Sequence, residues 1–495
     1  MRPCFLALAP MLVSACVGEP ECIPVGGGPY WIEEGQPISF TVTCEDGSDL
    51  DAERLAVAPL PPGATWDPAT ATFSWTPGLD QAAVVRIVLT LGELAGTVTI
   101  GVADAFDAAG NVPVVDPSRY PLELGLPVLF ISPAPQGTTA EPVTVIYRGE
   151  TYAAEGELRG AASLGYPKNS YDLQFSNNNP FFEPDHGGEG GMTRRRIVLI
   201  STFDDNSQVR QRLAYDVWNA MDPEHIQIQT FSAVVYLDGI YHGLFTVADH
   251  VDADLMAIHG LAADGNLYKA YNHDANFRLT DYDGNPKSTL HQGYEKKEGE
   301  PPGDFADLDG LVQWAATIDV AGFESGRAAR LDTRDYDDWW IFATATLADD
   351  SAGKNSYHHR DPAGGPWRFA PWDLNHSFGQ TWETEREAAD TRDDYIDNNR
   401  LFELTLASPT LQPQLYARYQ TLRQGPLHPD STLALVDTYV AEIDASARRD
   451  QRRWSTEYRT YSGWSWRTNF TTYDEELAYL RTWLADRWTF LESTY

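Results

Sequence analysis

Residues Asp335–Gly379 read DYDDWWIFATATLADDSAGKNSYHHRDPAGGPWRFAPWDLNHSFG. Tyr336, Trp339, Trp340, Ala343 and Leu347 recur at helical spacing, which predicts a helix presenting an apolar stripe to a core. The helix is expected to end at Asp349 and Asp350, where its dipole is negative and a carboxylate is disfavoured. Two acids there ask for a cation. Beyond them the pattern gives a short strand, a Gly/Pro turn and a second strand closing on Asp373, with Asn355 between the acids. An acid between Trp372 and Leu374 beside a core strand is costly without a partner.

The whole chain has 495 residues, more than one core usually holds, so two domains are expected. The formal net charge is −36. That opposes contact with a phosphate backbone, so nucleic acid is not an expected partner. The opening residues, MRPCFLALAPMLVSAC, place an apolar run from Phe5 to Val13 after one Arg, too short to span a bilayer and suited to a signal peptide over residues 1–15. Val13-Ser14-Ala15-Cys16 resembles a bacterial lipobox, which implies lipidation of Cys16 and a membrane anchor through acyl chains. The expected address is extracytoplasmic, anchored to the bacterial cell envelope at the outer membrane or cell surface. All four cysteines fall in the first 44 residues, so a thiol nucleophile or zinc–thiolate site is excluded from the main domain. With Cys4 lost and Cys16 acylated, Cys22 and Cys44 remain as one pair, for which a disulfide is the default in an exported chain.

Residues 16–105 alternate apolar and polar positions at period two between Gly, Pro and Asp turns, an all-β pattern. Pro61-Pro62-Gly63, Asp67, Trp75 and Pro77 resemble a motif of bacterial Ig-like sandwich domains, implying a core of Trp66, Phe73 and Trp75. Such a domain would act as a spacer or make glycan or protein contacts. Residues 106–119 read as a linker. From residue 120 to 495, strand patterns come first, including a hairpin at Asp238-Gly239, and helices follow. One helix is expected over FDDNSQVRQRLAYDVWNAM, capped by Asn206 or Ser207, and a long one from Thr432 to Trp454. The fold class is therefore α+β, with a β-rich half and a helical half.

Asp350, Asn355 and Asp373 have the Asp-x4-Asn, hairpin, Asp spacing that protein kinases use. Ordered blocks carry a wider resemblance over residues 120–495 to the CotH kinase family, spore-coat-type exported atypical protein kinases. They are Arg159-Gly160 with Tyr166 to Tyr171, Val198-Leu199 with Asp204 to Tyr215, Val235 to Asp252, Asn266 to Lys269, the stretch quoted above, and Leu401 to Tyr419. The departures are Asp249 where the family has Glu, Asn375 where it has a second acid, and Ser356 in place of Tyr.

The resemblance implies transfer of the γ-phosphoryl group of ATP, with Mg²⁺ or Mn²⁺, to hydroxyl residues of an exported protein. It implies Asp350 as the base orienting the hydroxyl, with Asp349 as the competing choice, and Asn355 and Asp373 as metal ligands. Lys168 would contact the ATP phosphates, held by Asp249. Arg210 could reach the nucleotide or pair with Asp204 or Asp205. Lys269 is a further phosphate candidate. A second reading is a non-catalytic surface lipoprotein binding envelope glycan or a partner protein through aromatics such as those of YRTYSGWSWRTNF, residues 458–470.

Overall fold

A computed structural model describes residues 22–106, 115–188, 190–464 and 470–495. The expected signal peptide and Cys16 lie outside the described residues. Among those described, no helix is long and apolar enough to cross a membrane. The chain divides between Tyr120 and Pro121 into two units.

In the first unit, strands Tyr30–Glu33, Leu94–Ala103, Ala83–Leu91 and Ala56–Ala58 form one sheet, and Ile38–Thr41, Thr72–Trp75 and Thr65–Asp67 another. Their alternating patterns turn Phe40, Phe73 and Trp75 from one sheet and Ile87, Leu89, Val98 and Ile100 from the other into a shared core. Trp66 is only partly buried, at the margin of that core. Cys22 and Cys44 are disulfide-bonded across 22 residues, beside the Pro24↔Cys44 strand pair. The end of the expected linker packs as part of this unit. The Arg119 carbonyl accepts from the Val84 N–H at 3.0 Å, and the Tyr120 hydroxyl accepts from the Asp104 N–H at 3.2 Å.

In the second unit, seven strands close into a ring: β1 (Leu126–Ser132), β2 (Glu141–Tyr147), β3 (Glu150–Arg159), β4 (Ser170–Phe175), β5 (Arg196–Ile200), β6 (Thr230–Leu237) and β7 (Ile240–Asp249). Antiparallel pairing runs β1-β2-β3-β4-β5-β7-β6, and β6 returns to β1 in parallel, with Val128↔Val234 in register. Alternate residues such as Leu129, Val145, Leu173, Leu199, Val235 and Val247 fill the interior. On the outside, helix α1 (Arg210–Met221) packs on β6. The longest described helix, α3 (Pro429–Thr460), lies along β7. Asn206 or Ser207 is the cap expected for α1, but the helix begins at Arg210, with Val209 before it. The Asp205 carboxylate accepts the N–H groups of Ser207 (3.0 Å) and Arg210 (2.9 Å) and so does the capping.

A second, antiparallel sheet has the order β9 (Tyr294–Glu298), β8 (Asn266–Ala270), β10 (Ser356–Arg360), β11 (Arg368–Pro371). Helix α2 (Thr333–Thr346) packs on β11, with Trp339 stacked on Phe369 at 4.4 Å between ring centres. Asp332 caps its N-terminus through the N–H groups of Arg334 and Asp335. At its C-terminus Leu347 turns left-handed (φ 51°), so the helix ends before the paired aspartates, which lie on a separate short turn, Asp349–Ser351. The architecture is mixed α+β, as expected.

Closing a loop of this size removes denatured-state entropy worth about 3 kcal/mol. Replacing both Cys22 and Cys44 by Ala is expected to destabilise the first unit by about that amount, measured as a lower denaturant midpoint with the second unit's transition unchanged.

Candidate active site

The β10–β11 hairpin sets the geometry of the site. Its register pairs Ser356 with Pro371, so Asn355 and Trp372 meet just past its open end. There the Asn355 carbonyl accepts the Trp372 N–H at 2.9 Å, and the Asn355 N–H donates to Ala270 of β8 at 2.9 Å. Asn355 (φ 56°) and Asp373 (φ 58°) are both left-handed, a conformation that Asn and Asp tolerate better than other side-chain-bearing residues. The twist at Asp373 is what separates it from its neighbours. Trp372 and Leu374 are buried while the Asp373 side chain is open to solvent, and its N–H donates to the Tyr215 hydroxyl of α1 at 3.3 Å.

Asp350, Asn355 and Asp373 line one cleft of about 930 Å³, together with Arg159, Lys269 and His376. Two cations share this cleft with Asp373. Arg159, from the end of β3, sits 4.9 Å above the Trp372 ring. Lys269, from β8, is partly buried. Burial, helped by the positive charge of Arg159, lowers its pKa, and Asp373 opposes that shift. Neither Arg159 nor Lys269 has an ion-pair partner among the described residues.

The cation that Asp350 called for comes from side chains. Lys354 lies 2.9 Å from its Oδ2, His273 Nε2 3.2 Å from its Oδ1, and His376 Nδ1 3.5 Å from its Oδ2. Burial works to raise the Asp350 carboxyl, but hydrogen bonds from His273 and His376 and the charges of His376 and Lys354 hold it far below the usual range. His376 shows the converse. Burial disfavours its charge, yet Asp204 and Asp350 on its two nitrogens push it up to about 10. Asp349 lines the cleft at its rim, where partial desolvation by the cleft walls and then the neighbouring Asp350 raise its pKa.

Three residues expected to bind ATP do not reach the cleft. Lys168 is fully buried, with Nζ 2.7 Å from Asp450 Oδ1 and 2.6 Å from the Leu244 carbonyl. Burial lowers the Lys168 pKa and raises that of Asp450, and each is the other's countercharge. Gly243 (φ 137°) makes room for the pair, since a Cβ there would lie 2.2 Å from the Asp450 oxygen. Asp249 does not hold Lys168. It faces Arg194, 2.5 Å away, and accepts the Gln229 N–H at 2.8 Å. Arg210 is buried between Asp205 (2.7 Å) and Glu476 (2.6 Å), so it joins α1 to helix α4 (Tyr473–Thr494).

Tyr458, Tyr461 and Phe470, from the stretch read as exposed aromatics, pack with Phe203 and Tyr166. Residues 465–469 of that stretch lie outside the described residues. Adjacent on β10, His358 and His359 point apart: His358 bonds to the Tyr336 hydroxyl (2.9 Å) and His359 to the Ala262 carbonyl (2.9 Å).

Residues 157–491 match the CotH kinase protein family, and the chain belongs to it. Inner spore coat protein H of Bacillus subtilis (strain 168) is 28% identical over 233 residues, which are 47% of this chain and 60% of that protein. The chain thus spans three-fifths of that relative's length. Among solved structures, the endo-fucoidan hydrolase MfFcnA4 from glycoside hydrolase family 107 aligns over 34% of this chain and 28% of its own, at 13% identity with a TM-score of 0.14. A likeness that low carries no fold.

Two measurements separate structural from cleft residues. Lys168→Ala leaves a buried carboxylate unpaired and is expected to cost about 3–5 kcal/mol in denaturant unfolding, whereas Lys269→Ala leaves stability within about 0.5 kcal/mol. His376 titrates near 6.5 when unfolded and near 10 when folded. Its stabilisation is complete below the first value and is lost as pH rises through the second. The stability gap between wild type and His376→Gln should therefore shrink from about pH 7 to about pH 10, read by urea unfolding at successive pH values.

Proposed function

We propose that this chain is an extracytoplasmic atypical protein kinase, transferring the γ-phosphoryl of ATP to a hydroxyl side chain of an exported or cell-envelope protein. The observation that carries the reading is one cleft that brings together two cations and the Asn355–Asp373 pair. Arg159, from the barrel, and Lys269, from the sheet that also carries Asn355, have no ion-pair partner among the described residues and line the same space as Asp373, which is large enough for a nucleotide. Phosphoryl transfer needs positioning and charge neutralisation rather than a protein nucleophile.

Asn355 and Asp373 supply the amide and carboxylate oxygens that a hard cation takes. Among the described residues no three His, Cys, Asp or Glu side chains form a ready cage. That suits Mg²⁺ or Mn²⁺, which keeps waters and shares phosphate oxygens with one or two protein ligands. When bound, such an ion neutralises phosphate charge and aligns the leaving group. Arg159 and Lys269 hold the phosphate oxygens, taking the part first given to Lys168. Asp350, with its carboxyl held far below the usual range, is a poor proton store. Its role is to orient the acceptor hydroxyl, whose proton leaves to a phosphoryl oxygen. Lipid anchoring at Cys16, the Ig-like identity of the first unit as a spacer, and a kinase-like fold for the second belong to the same proposal.

Transfer from labelled ATP, with Mg²⁺ or Mn²⁺, to an exported acceptor protein tests it. Asp373→Ala should lower the rate by at least about 10²-fold without lowering the melting temperature. Wild-type protein with neither transfer nor metal-dependent nucleotide binding would sink the kinase reading. Exposed Tyr271, Tyr282 and Trp382 at the cleft rim favour the second reading, a glycan-binding surface protein. Glycan-array binding that survives Asp373→Ala would support it.

A further inference from the structure

His376 follows Asp373 by three residues, and its ring lies between two carboxylates from distant parts of the chain. Nε2 is 3.2 Å from Asp204 Oδ2 and Nδ1 is 3.5 Å from Asp350 Oδ2. Asp204 also accepts from the Tyr166 hydroxyl at 3.2 Å and from the Asn375 amide. Asp350 is also paired with Lys354 and His273. A neutral imidazole has one N–H and one lone pair, so it can satisfy one carboxylate and must repel the other. Only the doubly protonated ring satisfies both.

Protein kinases hold two Mg²⁺ ions in their cleft. Here the residues that could hold a second ion are already engaged. Oδ2 of Asp350 faces Lys354 and His376 and its Oδ1 faces the His273 ring, so a metal at that carboxylate would have to displace one of these side chains from a largely buried site. Asn375 carries no charge, and its amide nitrogen is spent on Asp204. Its Oδ1 is buried with no hydrogen-bond partner, beside Asp373 in the cleft lining.

We propose that His376 takes the place of a divalent cation between Asp204 and Asp350, so that this chain binds one metal ion, at Asn355 and Asp373, rather than two. The inference rests on the kinase reading for the Asn355–Asp373 ion alone. The placement of His376 between its two carboxylates is independent of turnover.

The test is a Mn²⁺ titration of the nucleotide-free full chain, with free ion counted by electron paramagnetic resonance. Wild type is expected to bind one Mn²⁺, lost in Asp373→Asn. His376→Gln, which keeps a polar side chain and removes the charge, should gain a second Mn²⁺ that disappears again in His376→Gln/Asp204→Asn. His376→Lys, which restores a cation, should stay at one. A wild type that binds two ions, or a folded His376→Gln that binds no more than wild type, overturns the proposal. If wild type binds none while His376→Gln gains an Asp204-dependent ion, the Asn355–Asp373 metal reading fails and the role of His376 stands. Nitrogen-15 spectra of the wild-type histidines decide the matter even if the variants misfold. A His376 ring with both nitrogens protonated at pH 8 supports the proposal, and a neutral ring there ends it.

Discussion

The hydrogen bond from the Trp372 N–H to the Asn355 carbonyl holds the site together. It closes the β10–β11 hairpin one residue past its last strand pair and fixes the two left-handed residues beside it. Without that closure, Asn355 and Asp373 would be two polar residues on separate loops. The packing behind it is stiff. Trp339 stacks on Phe369, and its indole N–H donates to the Ser351 carbonyl at 2.7 Å, tying helix α2 both to the hairpin and to the turn that carries Asp350. One tryptophan thereby sets the distance between the acid on the turn and the pair on the hairpin.

How much could be read beforehand follows from where each residue's partner lies. Asp373 drew attention because an acid flanked by Trp372 and Leu374 would be costly if buried; the left-handed turn there puts its side chain in solvent instead, so it reaches the cleft without incurring that cost. Asn355 and Asp350 were legible as spacing. Lys168 was misread because its countercharge, Asp450, is 282 residues away on a helix whose exposed and buried faces the sequence does not distinguish there. Of the two alternatives for Arg210, the local pair with Asp205 forms, and only its second partner, Glu476, 266 residues on, left no mark in the sequence. His273 and His376 gave no signal, because a lone histidine in a loop is ordinary until a carboxylate arrives from elsewhere. Lys269 was the subtler case. It was named only as a further phosphate candidate, and it takes the pairing of β8 with β10 to bring it beside Asn355.

The fold was legible by class and not by closure. Alternating patterns give strands, and DG gives a hairpin, but the parallel return of β6 to β1 joins segments about a hundred residues apart and leaves no local mark. The electrostatics follow the same division. The chain is acidic overall, yet Arg159 and Lys269 stand at the cleft where acids of the same chain could have neutralised them. Asp204 and Asp350 are satisfied by their own histidines, lysine, tyrosine and amide, so those acids do not compete for the two cations.

A ring of strands has no edge at which to begin opening. Separating any two neighbours of the barrel requires a second break elsewhere in the ring, so the barrel should respond to its surroundings as one rigid block. The four-stranded sheet bearing Lys269, Asn355 and the hairpin is open, with β9 and β11 as free margins. Any widening of the cleft to admit and release large molecules therefore falls to that sheet and to the loops between it and the barrel. The barrel wall, with Arg159 on its rim, serves as the fixed reference against which the other side moves.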